Sequence, residues 1–484
     1  MVEEIMTFGE CLEKIMKDKK ISVTKLAELT GTKSRNSIQR ILRDDCSIIV
    51  IEAFKHKLSG LDELLLSEAE RLNEAFEVSR VGKDTYLARK IMLQIFENPQ
   101  RLKTNNPVGF NPSTHKTVSL AQLLNTYHKF AKIRILIFDM TFSVFTHELV
   151  NLIRSSPYGS ISISHILLLT DNQVHNAETF VAAFNLLNYG HYDVYCLTHA
   201  GIPTNQLTIA PNSIFIDKET KDGRHYTDII KMYSAESFSY IIDLRDHQTF
   251  EFYLYQFNNM RIKAQSIRKT YEKTSPVVKT LGIVEACIPL EKHCDRYLIK
   301  HSISSSMIPF NVYLSIFSGN NYFGLSKNDP MVEDLKKNFH ERTYCFFNAK
   351  KTKMNLLTKR GLLDFVNNRV ISDHFHNARP FTREEIKNIL EFVLEQLLNN
   401  EYFKILLLKN DYAIGNLEFS YYENQCLWIW DSFSGYGDDY FDTPIENPQI
   451  IEIFDDFVKN EYIPHHTLPE SETIDFFKYL ISIA

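Results

Sequence analysis

The stretch ISVTKLAELTGTKSRNSIQRILRDD, residues 21–45, decides how the N-terminal part of the chain is read. Ser22 is a good N-cap for a short helix over 23–30 that turns Leu26, Ala27 and Leu29 inward. Ala27 is small, so a second helix can cross close to the first. Gly31 marks the turn, because a positive φ is cheap only for glycine. A second helix over about 34–43 has Ile38, Ile41 and Leu42 on its inner side. Its other side carries Arg35, Asn36, Gln39, Arg40 and Arg43. Two short helices joined by a glycine turn predict a helix-turn-helix over residues 20–45. The outward set suits base reading: Arg pairs with guanine, and Asn or Gln with adenine, through two parallel hydrogen bonds in the major groove. A helix N-terminus also favours a phosphate. An ordinary solvated helix pair shows a polar face too.

The flanks extend this head. Residues 5–18 place Ile5, Phe8, Leu12, Ile15 and Met16 on one helical face. An apolar helix follows from Ile48 to Leu58. Ser22, Leu26-Ala27 and Gly31 at this spacing, then the Ile-containing polar helix and the apolar helix, resemble the phage-repressor-like XRE family over about 60 residues. Val23 stands where that family usually has Gln, and the turn from Gly31 to Ile38 is one residue longer. The resemblance implies recognition-helix roles for Ser34, Arg35, Asn36, Gln39 and Arg40, and phosphate contacts for Thr24, Lys25 and Lys33. It also implies double-stranded DNA as partner and a homodimer that spans two half-sites.

Composition bounds the rest. The 484 residues suggest two to four domains. Net charge is −6, so DNA binding must be local. Residues 1–58 carry 11 Lys/Arg against 9 Asp/Glu, which leaves the remainder at −8, a basic head on an acidic body. The N-terminus MVEEIMTFGECLEKIM has no basic region followed by an apolar run, so no signal peptide is expected. No apolar stretch reaches 18 residues, so no membrane span is expected. The seven scattered Cys form no C-x-x-C and read as reduced thiols in the cytoplasm.

Residues 61–117 read as a helical connector and a linker. Leu65, Leu66, Leu72, Phe76, Leu87, Ile91, Ile95 and Phe96 offer a helical pair that covers the body or forms a dimer seam. NPQRLKTNNPVGFNPSTHKT (98–117) is the clearest boundary. From 118 to 275, helices alternate with the runs IRILIFD (133–139), SHILLLT (164–170), YDVYCLT (192–198), SIFID (213–217) and FSYIIDL (238–244). That alternation predicts an α/β domain with parallel strands. Residues 247–273 read as one long helix, basic toward its end (Arg261, Lys263, Arg268, Lys269, Lys273). Residues 276–484 read as an α+β unit. FNVYLSIFS (310–318) and RTYCFFN (342–348) look strand-like there, and Thr382 with Glu385 forms a capping box. YFKILLLK, YAIGNLEFSYY and QCLWIWDSF read as consecutive antiparallel strands. No repeat of 20–50 residues is present. The expected fold is thus multidomain: an all-α helix-turn-helix head (1–60), the connector (61–117), an α/β middle and an α+β end.

Catalytic motifs are missing from the sequence. There is no P-loop, G-x-G-x-x-G, G-x-S-x-G or H-E-x-x-H. None of the 17 His has Lys two residues on, which disfavours an active phospholipase D-like enzyme. In the metal-like motif Asp373-His374-Phe-His376, His374 and His376 share one side of a strand as two possible ligands with no third, His465-His466 reads as a loop, and no metal or cofactor is assigned. Asp139 and Asp171 end strands where α/β sheets bind ligands, a place for a sensing pocket or for helix caps. Trp428 and Trp430 share one side of a strand. The expected protein is a sequence-specific transcriptional regulator, not an enzyme. Its body would control the head by dimerisation or by sensing a small-molecule or protein effector. The alternative is a defence effector with a live or dead phospholipase D-like body.

Overall fold

The head is shaped by its helix ends. In the computed structural model, which describes residues 5–32, 34–59, 66–96, 108–110, 117–157, 159–184, 186–187, 191–198, 209–234, 237–243, 247–267, 276–317, 328–371, 379–410, 417–431 and 444–484, six helices come first. They are α1 (Phe8–Asp18), α2 (Val23–Leu29), α3 (Arg35–Leu42), α4 (Ile48–Leu58), α5 (Leu66–Val81) and α6 (Lys83–Leu93). Thr7 starts α1 with a capping box to Glu10. Ser22 caps α2 through the Lys25 amide, and Ser34 caps α3 through the Asn36 amide.

Three helix ends use the same device. After α2, Gly31 sits at φ 62° and donates to the Glu28 carbonyl, while Thr32 donates to that of Ala27. This pair of bonds is a Schellman motif, which satisfies the last carbonyls and turns the chain sharply. After α1, Lys20 and Ile21 make the same pair of bonds to Lys17 and Met16; after α3, Asp44 and Asp45 make it to Ile41 and Arg40. Lys20 and Asp44 take the left-handed conformation without being glycine, at φ 54° and 51°. Asp44 is further held by its side chain, which accepts from the Gly9 amide, Ser79 Oγ and Thr7 Oγ1. It thereby ties α1, the α3–α4 turn and α5 together. Gly9 is needed at the crossing of α1 over α3, because a Cβ there would lie 2.6 Å from the Leu42 carbonyl oxygen.

The core of the head draws on α5 as well as on the first four helices. Leu72, Ala75 and Phe76 of α5 lie in one core with Phe8, Leu12, Ile15, Leu26, Ile38, Ile41, Ile51 and Phe54. Four short helices leave an apolar side open, and α5 covers it. The compact unit therefore runs from Met1 to Lys90, together with Asn172–Val174. The face of α5 proposed as a seam is largely consumed in this way.

The second unit, Ile91–Asp171 with His175–Ala484, holds two mixed sheets. The first contains β1 (Val108–Phe110), β2 (Thr117–Ser119), β3 (Lys132–Phe138), β4 (Ile161–Leu169), β5 (Tyr192–Thr198), β6 (Ser213–Glu219), β7 (His225–Met232), β8 (Ser237–Asp243) and β9 (Gln265–Ser266). Its order is β2-β1-β8-β7-β6-β3-β4-β5-β9. Its helices are α7 (Leu120–Asn125), α8 (Ser143–Ser155), α9 (Gln173–Phe184) and α10 (His247–Arg261). The second sheet contains β10 (Arg296–Lys300), β11 (Lys353–Leu357), β12 (Phe403–Leu407), β13 (Leu417–Tyr422), β14 (Cys426–Asp431) and β15 (Pro444–Ile445), in the order β12-β11-β10-β13-β14-β15. Its helices are α11 (Pro276–His293), α12 (Phe310–Phe317), α13 (Pro330–Asn348), α14 (Lys359–Asn368), α15 (Arg383–Asn399), α16 (Pro448–Phe457), α17 (Ile463–His466) and α18 (Glu470–Ile483).

The two sheets share a plan. β3, β4 and β5 are parallel, and β6 to β8 continue antiparallel from the other side of β3. Likewise β10, β11 and β12 are parallel, and β13 and β14 continue antiparallel from the other side of β10. Fully buried runs such as Ile135–Phe138 and Ile166–Leu167 sit in the central strands, as a sheet covered on both faces requires.

Several expectations are corrected. The middle sheet is mixed, not parallel, since 213–219 and 237–243 join through antiparallel β7, which the sequence reading missed. Residues 310–317 and 342–348 are helical. In α13, Asp329 caps through the Met331 amide, Pro330 stands in the first turn, and Val332, Leu335, Phe339, Arg342 and Phe346 are buried at helical spacing. Residues 403–407 pair in parallel with β11, so only β13 and β14 form the expected hairpin. The helix from 247 ends at Arg261. The Thr382–Glu385 capping box is present. All seven cysteines are free thiols. No helix among the described residues is long and apolar enough to cross a membrane.

Candidate nucleic-acid interface

The expected reading residues lie on α3 and the turn before it. Ile38 and Ile41 fix the inner side of α3 in the head core. Arg35, Asn36, Gln39, Arg40 and Arg43 are then exposed together, because their spacing keeps them on one face of the helix. Ser34 is exposed, but its hydroxyl accepts from the Asn36 amide, so its first task is capping α3. Arg40 is held at the C-terminal end: its Nε donates to the Asp45 carbonyl at 2.9 Å and lies 3.6 Å from the Asp45 carboxylate. Thr24 is half-buried at the start of α2. Lys25 is exposed, with Nζ 3.8 Å from Glu28. Lys33 lies outside the described residues.

A cavity of about 190 Å³ in the head is lined by Thr7, Asp44, Cys46, Ile51, Ser79 and Lys83 among others. Lys83 reaches Glu10 at 2.9 Å and, with the Thr7 amide, holds the Glu10 carboxyl below its ordinary range. Burial pushes the Cys46 thiol up. Thiol and carboxylate here serve packing and capping.

In the body, most of the sequence candidates turn out to be structural. Asp139, just after β3 at φ 50°, is buried. Its Oδ1 accepts from the Leu168 amide at 3.3 Å, Thr179 Oγ1 at 3.2 Å and His175 Nε2 at 3.1 Å, stitching β3 to β4 and α9. That bond to Asp139 raises the His175 pKa. Asp171 is exposed. Asn176, rather than Asp171, closes the β4–α9 turn, accepting from the Thr170 amide at 2.8 Å. Trp428 is buried beside Cys287, Tyr422 and Cys426, a core position; the Trp430 side chain, Asp373, His374 and His376 lie outside the described residues. His465 and His466 end α17 rather than a loop, and Lys409 Nζ donates to the His465 carbonyl at 2.8 Å. In the basic run, Arg261 lies over the Tyr195 ring, Lys263 is exposed, and Arg268, Lys269 and Lys273 lie outside the described residues.

One cluster was not anticipated. Asp217 of β6, His225 of β7 and His247, the first residue of α10, converge on the first sheet of the body. Asp217 faces Arg134 across the β3–β6 pair, and Arg134 Nη2 lies 3.6 Å from Asp217 Oδ2 and 3.3 Å from Glu251 Oε1. Asp217 is nearly buried, with 5% of its side chain exposed, whereas His225 and His247 keep 29% and 39%. The only local sequence hint is D-H-x-x-x-E, Asp246 to Glu251, which places His247 and Glu251 one turn apart; the other two members come from strands whose pairing the sequence does not state.

No protein-family model matches the chain, and no curated protein matches it. Among solved structures, a polyphosphate kinase from Porphyromonas gingivalis is similar over 75% of this chain and 53% of its own, at 9% identity and a TM-score of 0.20. This chain thus spans about half the length of that protein, and a likeness of this size carries no argument about fold or activity.

Proposed function

We propose that residues 20–45 act as a helix-turn-helix and that the protein is a sequence-specific DNA-binding transcriptional regulator of the XRE type. The observation that carries this reading is the exposed face of α3, on which Arg35, Asn36, Gln39 and Arg40 stand together beyond the Gly31 turn. Such a face supplies the donors and acceptors that base edges require, and its N-terminal end supplies a positive dipole toward phosphate. Lys25 and Thr24 at the start of α2, with Lys33, would position the backbone. In this reading the protein works in the cytoplasm as a homodimer, since a single head buries little surface and two heads multiply affinity. The body decides when the head binds, through dimerisation or an effector.

The test begins with selection of bound fragments from the source genome by the full chain. Affinity for a selected fragment should fall steeply between low and physiological salt, as counterion release requires. Arg40→Ala should weaken specific binding by about 1–3 kcal/mol while leaving the Arg40-independent, non-specific component. Absence of any selected sequence, or a salt-insensitive interaction, would sink the reading.

A further inference from the structure

The Asp217 cluster has the spacing of a metal-binding site. Oδ1 of Asp217 lies 3.0 Å from Nδ1 of His225 and 3.3 Å from Nδ1 of His247. The three ligand atoms lie within 4.8 Å of one another. Nitrogen and oxygen ligands about 2.0–2.1 Å from a tetrahedral zinc-class ion are themselves roughly 3.3 Å apart. One carboxylate oxygen faced by two imidazole nitrogens of the same kind therefore matches two edges of such a polyhedron.

We propose that Asp217, His225 and His247 bind a divalent transition-metal ion of the zinc class. Three protein ligands leave at least one position for water or a small anionic ligand. Two imidazoles select against magnesium and calcium, which prefer oxygen. The surroundings are those of a metal-bound histidine: Nε2 of His247 faces Glu251 Oε1 at 3.4 Å, the outer carboxylate that fixes the tautomer and orients the ring. Arg134 Nη2 lies 3.6 Å from Oδ2 of Asp217, which His225 Nδ1 also approaches at 3.2 Å, so Oδ1 is the oxygen that faces both histidines. With neutral imidazoles, two carboxylates and one guanidinium leave the cluster at −1, which favours a cation. The partial exposure of both histidines gives the ion a way in from solvent. Because the ligands come from two strands and the first turn of α10, binding clamps α10 to the sheet. The site stands on geometry in the body and is independent of the DNA-binding reading of the head.

The competing account is a set of histidine–carboxylate hydrogen bonds with no ion. Full-length protein, purified without a histidine tag or chelator, should be titrated with Co²⁺ and then with Zn²⁺. One Co²⁺ per chain should give a visible absorption band that Zn²⁺ abolishes, with a rise in Tm. The double variant His225→Asn/His247→Gln should bind at least about 100-fold more weakly, Glu251→Gln about 10-fold more weakly, and His374→Ala/His376→Ala unchanged. Chemical modification adds a readout on the unaltered chain: Zn²⁺ should protect His225 and His247 from diethyl pyrocarbonate, mapped by mass spectrometry. Failure of the folded wild type to take up either ion at micromolar concentration, undiminished uptake in a folded double variant, or loss of uptake in the His374/His376 variant would overturn the site, as would modification of the two histidines unaffected by Zn²⁺.

Discussion

The two sheets of the body follow one plan, and each seals a buried ion pair, Lys218 with Asp228 in the first and Arg296 with Glu291 beside the second, but the Glu291 and Asp217 clusters treat their ionisable groups in opposite ways. In the second sheet the charges are sealed inside. Glu291, from α11, accepts from Arg296 Nη1 at 2.8 Å and Tyr422 Oη at 2.9 Å, and lies 3.6 Å from Arg342 and 3.4 Å from Lys353. All five residues are almost wholly buried. In the first sheet Asp217 is just as buried, but its imidazole partners reach solvent. Both sheets also set an arginine on the central strand, Arg134 on β3 and Arg296 on β10. Arg134 is half exposed beside the Asp217 cluster, whereas Arg296 spends its donors on Glu291, Ser306 and Ser420. The contrast teaches that polar chemistry closed in by α11 and α13 holds the fold together, and that polar chemistry whose partners reach solvent stays available to a ligand.

The largest expected effect breaks this contrast at its centre. Glu291→Ala leaves Arg296, Arg342 and Lys353 buried without their shared carboxylate and should cost about 3–5 kcal/mol of stability. Asp217→Asn, by contrast, keeps the shape of a group whose partners are hydrated and should cost under about 1 kcal/mol. Denaturant titration of both variants checks this, and equal losses would erase the distinction. The Glu291 contribution should also depend on pH. Burial pushes the Glu291 carboxyl up, but Arg296, Lys353 and Arg342 outweigh it and hold it below 4.5. A depressed folded value means that this stabilisation is present above the ordinary carboxylate range and is lost as pH falls through the folded value.

A second, smaller effect tests how tightly the second sheet is closed. Gly361, in the first turn of α14, approaches the His301 carbonyl so closely that a Cβ would lie 1.8 Å from its oxygen. Gly361→Ala must displace the backbone after β10 and should cost about 1–3 kcal/mol or somewhat more. A calorimetric scan showing an unchanged Tm would mean that this junction yields without strain.

The smallest effect belongs to the first sheet. His175 gains a bond to Asp139, which raises its folded pKa above 6.5. A raised value contributes stability that is fully present below 6.5 and is lost as pH rises through the folded value. The stability difference between wild type and His175→Gln should therefore shrink as pH rises across that window. A difference that stays flat from acid to alkaline pH would remove His175 from the account.

Local signals were legible wherever the chain carries its own punctuation. The ends of α2 and α3 fall within a residue or so of the sequence reading because Ser22, Gly31 and Ser34 act on their immediate neighbours. The same holds for Thr382 with Glu385. Asp329-Pro330 opens α13, yet RTYCFFN at its far end looks like a strand because β-forming and aromatic residues are also what a buried helix packs. FNVYLSIFS fails for the same reason, since short apolar runs fit either state until their partners are known. The covering role of Leu72, Ala75 and Phe76 was not legible, because it exists only once α1 and α4 are side by side.

What the sequence determined by itself was the existence and outward face of α3, the caps that frame it, and the alternation of helix and strand in the body. Those depend on contacts within about five residues, which the chain order already supplies. Tertiary structure alone decided that β3 and β10 each join a parallel half to an antiparallel half, that Glu291 meets Arg296, Arg342 and Lys353, and that Asp217 meets His225 and His247. Each of those meetings depends on strand register and helix docking, where a shift of one residue turns a side chain to the opposite face. Pairing energies summed over the whole sheet fix that register, and no single stretch of sequence contains them.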